Sequence, residues 1–190
     1  IKRKSIIGSK SINNIYFEGS IAYLSCGFGI VELDLERIEI RDTYYIGDNG
    51  TKIEVFDLNS DGTYFYAATA QGIYKADKSS PNLVDYANWT RINHIPNYNK
   101  EFNTLTYFDN KIIANYNNGD NYSGDTIYII HENSWEYLDT TIVSIVNSLV
   151  STEDKLLISG SYKFYFQRQG VDTLESLYTY GNFSIDCVYA

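Results

Sequence analysis

The residues that could do chemistry in this chain are few and scattered. Its two histidines, His94 and His131, stand in different segments. A hydrolytic triad needs a nucleophile held against an imidazole that a carboxylate orients, and no GxSxG-type elbow marks such a nucleophile. His94 falls in the loop NHIPNY and reads as a solvated side chain, whereas His131 closes an apolar strand and reads as structural. Asp57, Asn59 and Asp61, in DLNSDG, carry the alternating oxygens that begin a calcium loop, whose twelfth position needs a bidentate Glu. That position is Ala68, so the segment reads as a β-turn. Cys26 and Cys187 are too few for a disulfide framework or a zinc site and read as buried, unpaired thiols. No catalytic residue, metal or cofactor follows from these side chains.

Binding is better served. Nineteen tyrosines are a marked excess, and Tyr suits half-buried strand faces as well as carbohydrate or peptide surfaces. Two long polar segments, NHIPNYNKEF and NYNNGDNYSGD, stand out among short turns. Loops rich in Tyr, Asn and Gly on a rigid scaffold commonly carry binding. Tyr98, Tyr116 and Tyr122 are therefore the candidate contact residues. The net charge of −9 opposes binding to nucleic acid or to an anionic membrane surface. No stretch is apolar for long enough to span a membrane as a helix. Asn88-Trp89-Thr90, Asn121-Tyr122-Ser123 and Asn182-Phe183-Ser184 fit the N-glycosylation acceptor pattern.

The elements that must position these loops repeat along the chain. In VFDLNSDGTYFYAATAQGIYKAD, an apolar strand meets the Asp61-Gly62 turn, a Tyr/Phe/Ala strand follows, and Gly72-Ile73-Tyr74 begins a third. Equivalent turns fall at Glu18-Gly19, Asp109-Asn110 and Asp154-Lys155; from 18, 61, 109 and 154 the spacings are 43, 48 and 45. An all-strand period of ~40–50 residues is that of propeller blades. The expectation is an all-β protein, a β-propeller of about four four-stranded antiparallel blades over residues 11–47, 51–92, 101–139 and 141–181. Part-blades are expected at 1–10 and 182–190, making the chain a piece of a larger, seven-bladed ring. In such a blade the loop between strands two and three opens on the same face as the connection between blades, so Asn93–Glu101 and Asn115–Asp125 should be neighbours. By the same count Cys26 and Cys187 fall in blades one and five and are too far apart to pair. Starting at Ile1 and lacking methionine, the chain reads as part of a longer precursor.

The repeat D…G…(Y/F)xAAT…GIYxxD resembles the two-component-regulator type of propeller repeat. More narrowly, INNIYFEGSIAYLSCGFGIVELDLE, RDTYYIGDNG and FSIDCVYA resemble PorZ-like proteins of Bacteroidetes. That resemblance implies a non-enzymatic module of a type IX secretion system attachment complex, in the periplasm or at the cell surface of a Gram-negative bacterium. It implies protein partners such as a PorU-like sortase, and the anionic lipopolysaccharide glycan to which that sortase joins cargo. A periplasmic ligand-sensing propeller of a hybrid two-component system is the alternative, and a glycan-active propeller enzyme the second alternative.

Overall fold

The computed structural model describes residues 9–119, 124–138, 145–161 and 163–178. These form four four-stranded antiparallel sheets, each built from consecutive strands. The first holds β1 (Ile12–Glu18), β2 (Ile21–Cys26), β3 (Gly29–Asp34) and β4 (Glu39–Tyr44). The second holds β5 (Val55–Ser60), β6 (Tyr64–Thr69), β7 (Gly72–Asp77) and β8 (Trp89–Arg91). The third holds β9 (Phe102–Phe108), β10 (Lys111–Tyr116), β11 (Thr126–Ile130) and β12 (Trp135–Tyr137). The fourth holds β13 (Val146–Ser151), β14 (Lys155–Gly160), β15 (Lys163–Arg168) and β16 (Glu175–Tyr178). The first strands β1, β5, β9 and β13 touch in succession, so the sheets radiate from a common axis as propeller blades. The arc they make is open.

Local chemistry explains the turns. Asp61 Oδ1 accepts from the backbone N–H groups of Thr63 (2.8 Å) and Tyr64 (2.7 Å), while Gly62 takes a φ of 93° that a side chain would resist. Asp109 and Asn110 both have positive φ, 50° and 60°, which a two-residue hairpin of the primed kind requires. The fourth turn is Thr152–Asp154, and Lys155 already belongs to β14. The Gly-Ile that begins both β3 and β7 has a steric origin. At Gly29 (φ 143°) an added Cβ would run into the carbonyl oxygen of Tyr44, and at Gly72 (φ 112°) into that of Tyr98. Both glycines let the outgoing main chain pass close over the hairpin.

The core lies between blades. Tyr23, Ile30 and Tyr44 of the first blade pack on Phe65, Tyr74 and Trp89 of the second, with Phe65 and Trp89 stacked 6.5 Å apart. Tyr66, Ala68 and Ile73 turn the other way, onto Phe102, Leu105 and Tyr128 of the third. Strand β6 is therefore buried on both faces, each alternate residue serving a different interface. Ile113, Ile127 and Ile129 meet Val146, Leu156 and Ile158 to form the last interface. Strand β1 departs from this pattern. Ile12, Ile15 and Phe17 are exposed, because the alternation aims Tyr16 at the second blade and these three elsewhere.

Candidate functional site

The two long segments meet on one face. Asn117 N donates to Glu101 O at 3.1 Å, and Asn117 Nδ2 donates to the Glu101 carboxylate, tying the β10–β11 loop to the connection that enters the same blade. The loop base is braced from within. Asp125 is buried and accepts from Asn115 Nδ2 (2.9 Å), Val146 N (2.9 Å) and Asn118 N (3.2 Å). Of the sequence-chosen tyrosines, Tyr98 is exposed beside its own carbonyl's contact with Gly72. Tyr116 is half-buried, its ring 5.8 Å from that of Phe102. Tyr122 lies outside the described residues, as do Cys187 and the sequons at Asn121 and Asn182. The third sequon begins at Asn88, which is half-buried.

A second feature, on the face of the strand-one-to-two turns, was not legible in the sequence. A cleft of about 440 Å³ opens between blades two and three, walled by Tyr64, Tyr66 and Tyr107 over a floor of Ile92, Ile112 and Ile130. Its rim carries Asp61, Lys75, His94, Asn110 and Glu132. Tyr66 donates its hydroxyl to Asp61 Oδ2 at 2.8 Å, and burial together with that carboxylate pushes its pKa well up. The Lys75 ammonium stands 3.6 Å from the Tyr64 ring centroid and 5.5 Å from that of Tyr66, a cation–π placement. His94 is not a solvated loop residue. The chain leaving β8 carries it, half-buried, to the β11–β12 turn, where its Nε2 donates to the carbonyl of His131 at 3.1 Å. His131 in turn faces Glu136 at 3.0 Å. The two histidines thus come together structurally, with no nucleophile between them among the described contacts.

The axis holds a third polar group. Asp57, 5% exposed, accepts hydrogen bonds from Asn14 Nδ2, Leu58 N (2.8 Å), Thr104 Oγ1 (3.0 Å) and Leu105 N (2.9 Å). Its partners come from the first strands of three successive blades. Burial raises its pKa to about 6, and the four hydrogen bonds hold it from rising further. Thr104 repeats the device one blade on, accepting from Leu149 N at 3.2 Å. Each of these residues follows a bulge in its first strand, which turns one polar side chain toward the next blade. This carboxylate stitches blades together. Among the described residues, no group of three or more His, Cys, Asp or Glu is placed to hold a metal ion.

Comparison with known proteins fits this geometry. Residues 1–90 match the family model described as the N-terminal β-propeller domain of PorZ, of the type IX secretion system. Over that span the chain is similar to that family. Among solved structures, it is similar to PorZ of Porphyromonas gingivalis, described as an essential bacterial surface component of the type IX secretion system. The two share 21% identity and a TM-score of 0.67 over 89% of this chain and 21% of that one. The chain is also similar to the extracellular domain of a B. thetaiotaomicron one-component system, at 16% identity and TM-score 0.64 over 92% of this chain and 23% of that one. A hybrid two-component system of the same organism gives 16% identity and TM-score 0.64 over 93% and 25%. These likenesses carry the propeller fold. The chain spans about a fifth to a quarter of the length of each of these proteins. No curated protein matches it.

Proposed function

We propose that this chain is part of a non-enzymatic propeller module in a type IX secretion attachment complex, in the periplasm or at the cell surface. There it holds a protein partner, such as a PorU-like sortase, or the lipopolysaccharide glycan used in cargo attachment. The observation that carries this reading is the PorZ family match over residues 1–90. In favour of the candidate residues Tyr98, Tyr116 and Tyr122 is that the two long segments that carry them in the sequence are joined through Asn117 and Glu101, and loops on a rigid scaffold are where binding commonly sits.

The test replaces those three tyrosines with Ala in the intact protein. In-cell crosslinking then reads capture of secretion-complex proteins, and purified lipopolysaccharide reads glycan binding. At least a tenfold loss of one or the other, with an unchanged melting temperature, is expected. Unchanged binding by a folded variant removes the three residues. A wild-type protein that crosslinks to no secretion component and binds no lipopolysaccharide removes the reading itself.

A second reading, a ligand-sensing propeller of a hybrid two-component system, has the B. thetaiotaomicron likenesses in its favour. Deletion separates the two. Loss of cargo from the cell surface belongs to the first, and loss of a transcriptional response to an added ligand belongs to the second.

A further inference from the structure

The cleft between blades two and three differs from its counterpart one blade on in a way that packing does not require. Asp57 pairs with Ala68 across the second blade as Thr104 pairs with Asn115 across the third, so Tyr64 and Tyr66 occupy the places of Lys111 and Ile113. Lys111 and Ile113 line the equivalent cleft between blades three and four. These two scaffold positions therefore carry tyrosines in one gap and Lys and Ile in the next, where the aromatic lining comes from Phe108 and Tyr137 instead.

Around that aromatic wall, hydrogen-bonding groups of both kinds remain uncommitted. Lys75 makes no ion pair among the described residues and rests on the Tyr64 and Tyr66 rings. Asn110 accepts from the Tyr107 hydroxyl through Oδ1 at 3.1 Å, which leaves its amide N–H groups for another partner. Glu132 is exposed and makes no ion pair among the described residues. With Nε2 of His94 donating to the His131 carbonyl, its Nδ1 is the ring nitrogen left for a ligand. The wall itself is fixed, because Asp61 is held by two backbone N–H groups and in turn holds the Tyr66 hydroxyl.

We infer that this cleft binds a saccharide of one or two pyranose rings. A pyranose offers a C–H face that lies on tyrosine rings and a girdle of hydroxyls, each donor and acceptor at once. That is the complement of a tyrosine wall rimmed by free donors (Lys75, Asn110) and free acceptors (Glu132, His94). The cleft volume of about 440 Å³ admits a ligand of that size. Asp61 and Glu132 on the rim, and the net charge of −9, disfavour phosphorylated ligands. The inference rests on the reading of the chain as a binding module, and it holds whichever assembly that module serves.

The experiment is saturation-transfer NMR on the intact protein. The probes are monosaccharides and disaccharides of glucose, galactose, mannose, N-acetylglucosamine and glucuronic acid. Tyr107→Ala is compared with wild type, as is the surface pair Lys75→Ala with Glu132→Ala, which leaves the apolar floor untouched. At least one sugar should bind, and a tenfold or greater weakening is expected in each variant that keeps the wild-type melting temperature. If Tyr107→Ala does not fold, the surface pair decides. No binding by any probe, or full binding by a folded variant, overturns the inference. Crosslinked capture of secretion components is read on the same variants. Loss of sugar binding with capture retained assigns the cleft alone, whereas loss of capture by wild-type protein that still binds sugar removes the functional reading and leaves the cleft standing.

Discussion

Asp57→Asn tests whether the axis is held by a carboxylate that folding keeps close to neutral. The wild-type group moves from its ordinary value of 3.8 to about 6 on folding because desolvation outweighs the four hydrogen bonds. A raised carboxylate pKa means that the folded state binds more protons than the unfolded one between those two values. Its contribution to stability is therefore complete below pH 3.8 and falls as pH rises to about 6. At about 1.4 kcal/mol per pH unit, the loss across that window is roughly 3 kcal/mol. Asparagine has no such titration. Its amide also puts a donor where Leu105 N or Leu58 N needs an acceptor, so the variant should be less stable at pH 4 by about 1–3 kcal/mol. Between pH 4 and 7 the wild-type protein should lose roughly 2.4 kcal/mol relative to the variant. Lowered groups such as Asp77 and Asp154 act in the opposite sense but are common to both proteins and cancel. Urea unfolding at pH 4, 5, 6 and 7, followed by the fluorescence of buried Trp89, gives both curves. A stability difference that stays constant to within about 1 kcal/mol across that range would refute the argument.

Other parts of the fold answer to simpler perturbations. Gly72→Ala should destabilise by about 3 kcal/mol or more, combining the positive-φ strain with a clash against the Tyr98 carbonyl, whereas Gly62→Ala, with open space around it, should cost only about 1–2 kcal/mol; thermal melts of the pair check this contrast. Cys26 is buried and its thiol pKa is raised by that burial, so native protein should resist alkylation at pH 8 and react fully in denaturant. Tyr→Phe at Tyr44, Tyr66, Tyr74 and Tyr128 should each cost about 1–2 kcal/mol because the hydroxyls are bonded, while Tyr64→Phe and Tyr98→Phe should leave urea midpoints unchanged.

What could be read from the sequence follows the range of the physics. The Asp-Gly and Asp-Asn turns and the period they mark are local, set by φ and by side-chain bonds within three residues, and the structure contains them as turns between first and second strands. Gly29 and Gly72 were legible as corners, but not the reason for them, which is a main chain arriving from a distant position. The meeting of the two long loops followed from blade geometry and is seen in the Asn117–Glu101 contacts. His94 was misread because its partner carbonyl belongs to the next blade. Asp57 was misread for the same reason. In DLNSDG it reads as a turn acid, yet its structural role needs Asn14 on one side and Thr104 and Leu105 on the other.

The excess of tyrosine, which by count could mean packing or binding, divides once each hydroxyl is followed to its partner. Tyr44 donates to Glu32, which Arg41 also holds, and Tyr74 joins Asp48 and Arg91 across the gap between blades one and two. Tyr128 accepts from Asn97, pinning the inter-blade connection to the third blade. For Tyr74 and Tyr128 the ring fills an interface and the hydroxyl ties down a connection, so a Phe would pack and yet leave the connection loose; the Tyr44 hydroxyl instead ties β4 to β3 within the first blade. Tyr64 and Tyr98 differ. The ring of Tyr64 packs at the edge of the core between blades two and three, carries the ammonium of Lys75 and meets Tyr66 edge-on, and that of Tyr98 is partly exposed. A half-buried aromatic whose polar end does no work in the fold is unforced by stability. The two of them lie at the blade-two-to-three gap, one lining its turn-side cleft and the other on the connection that leaves it, which makes that gap the part of the array with most freedom to serve a ligand.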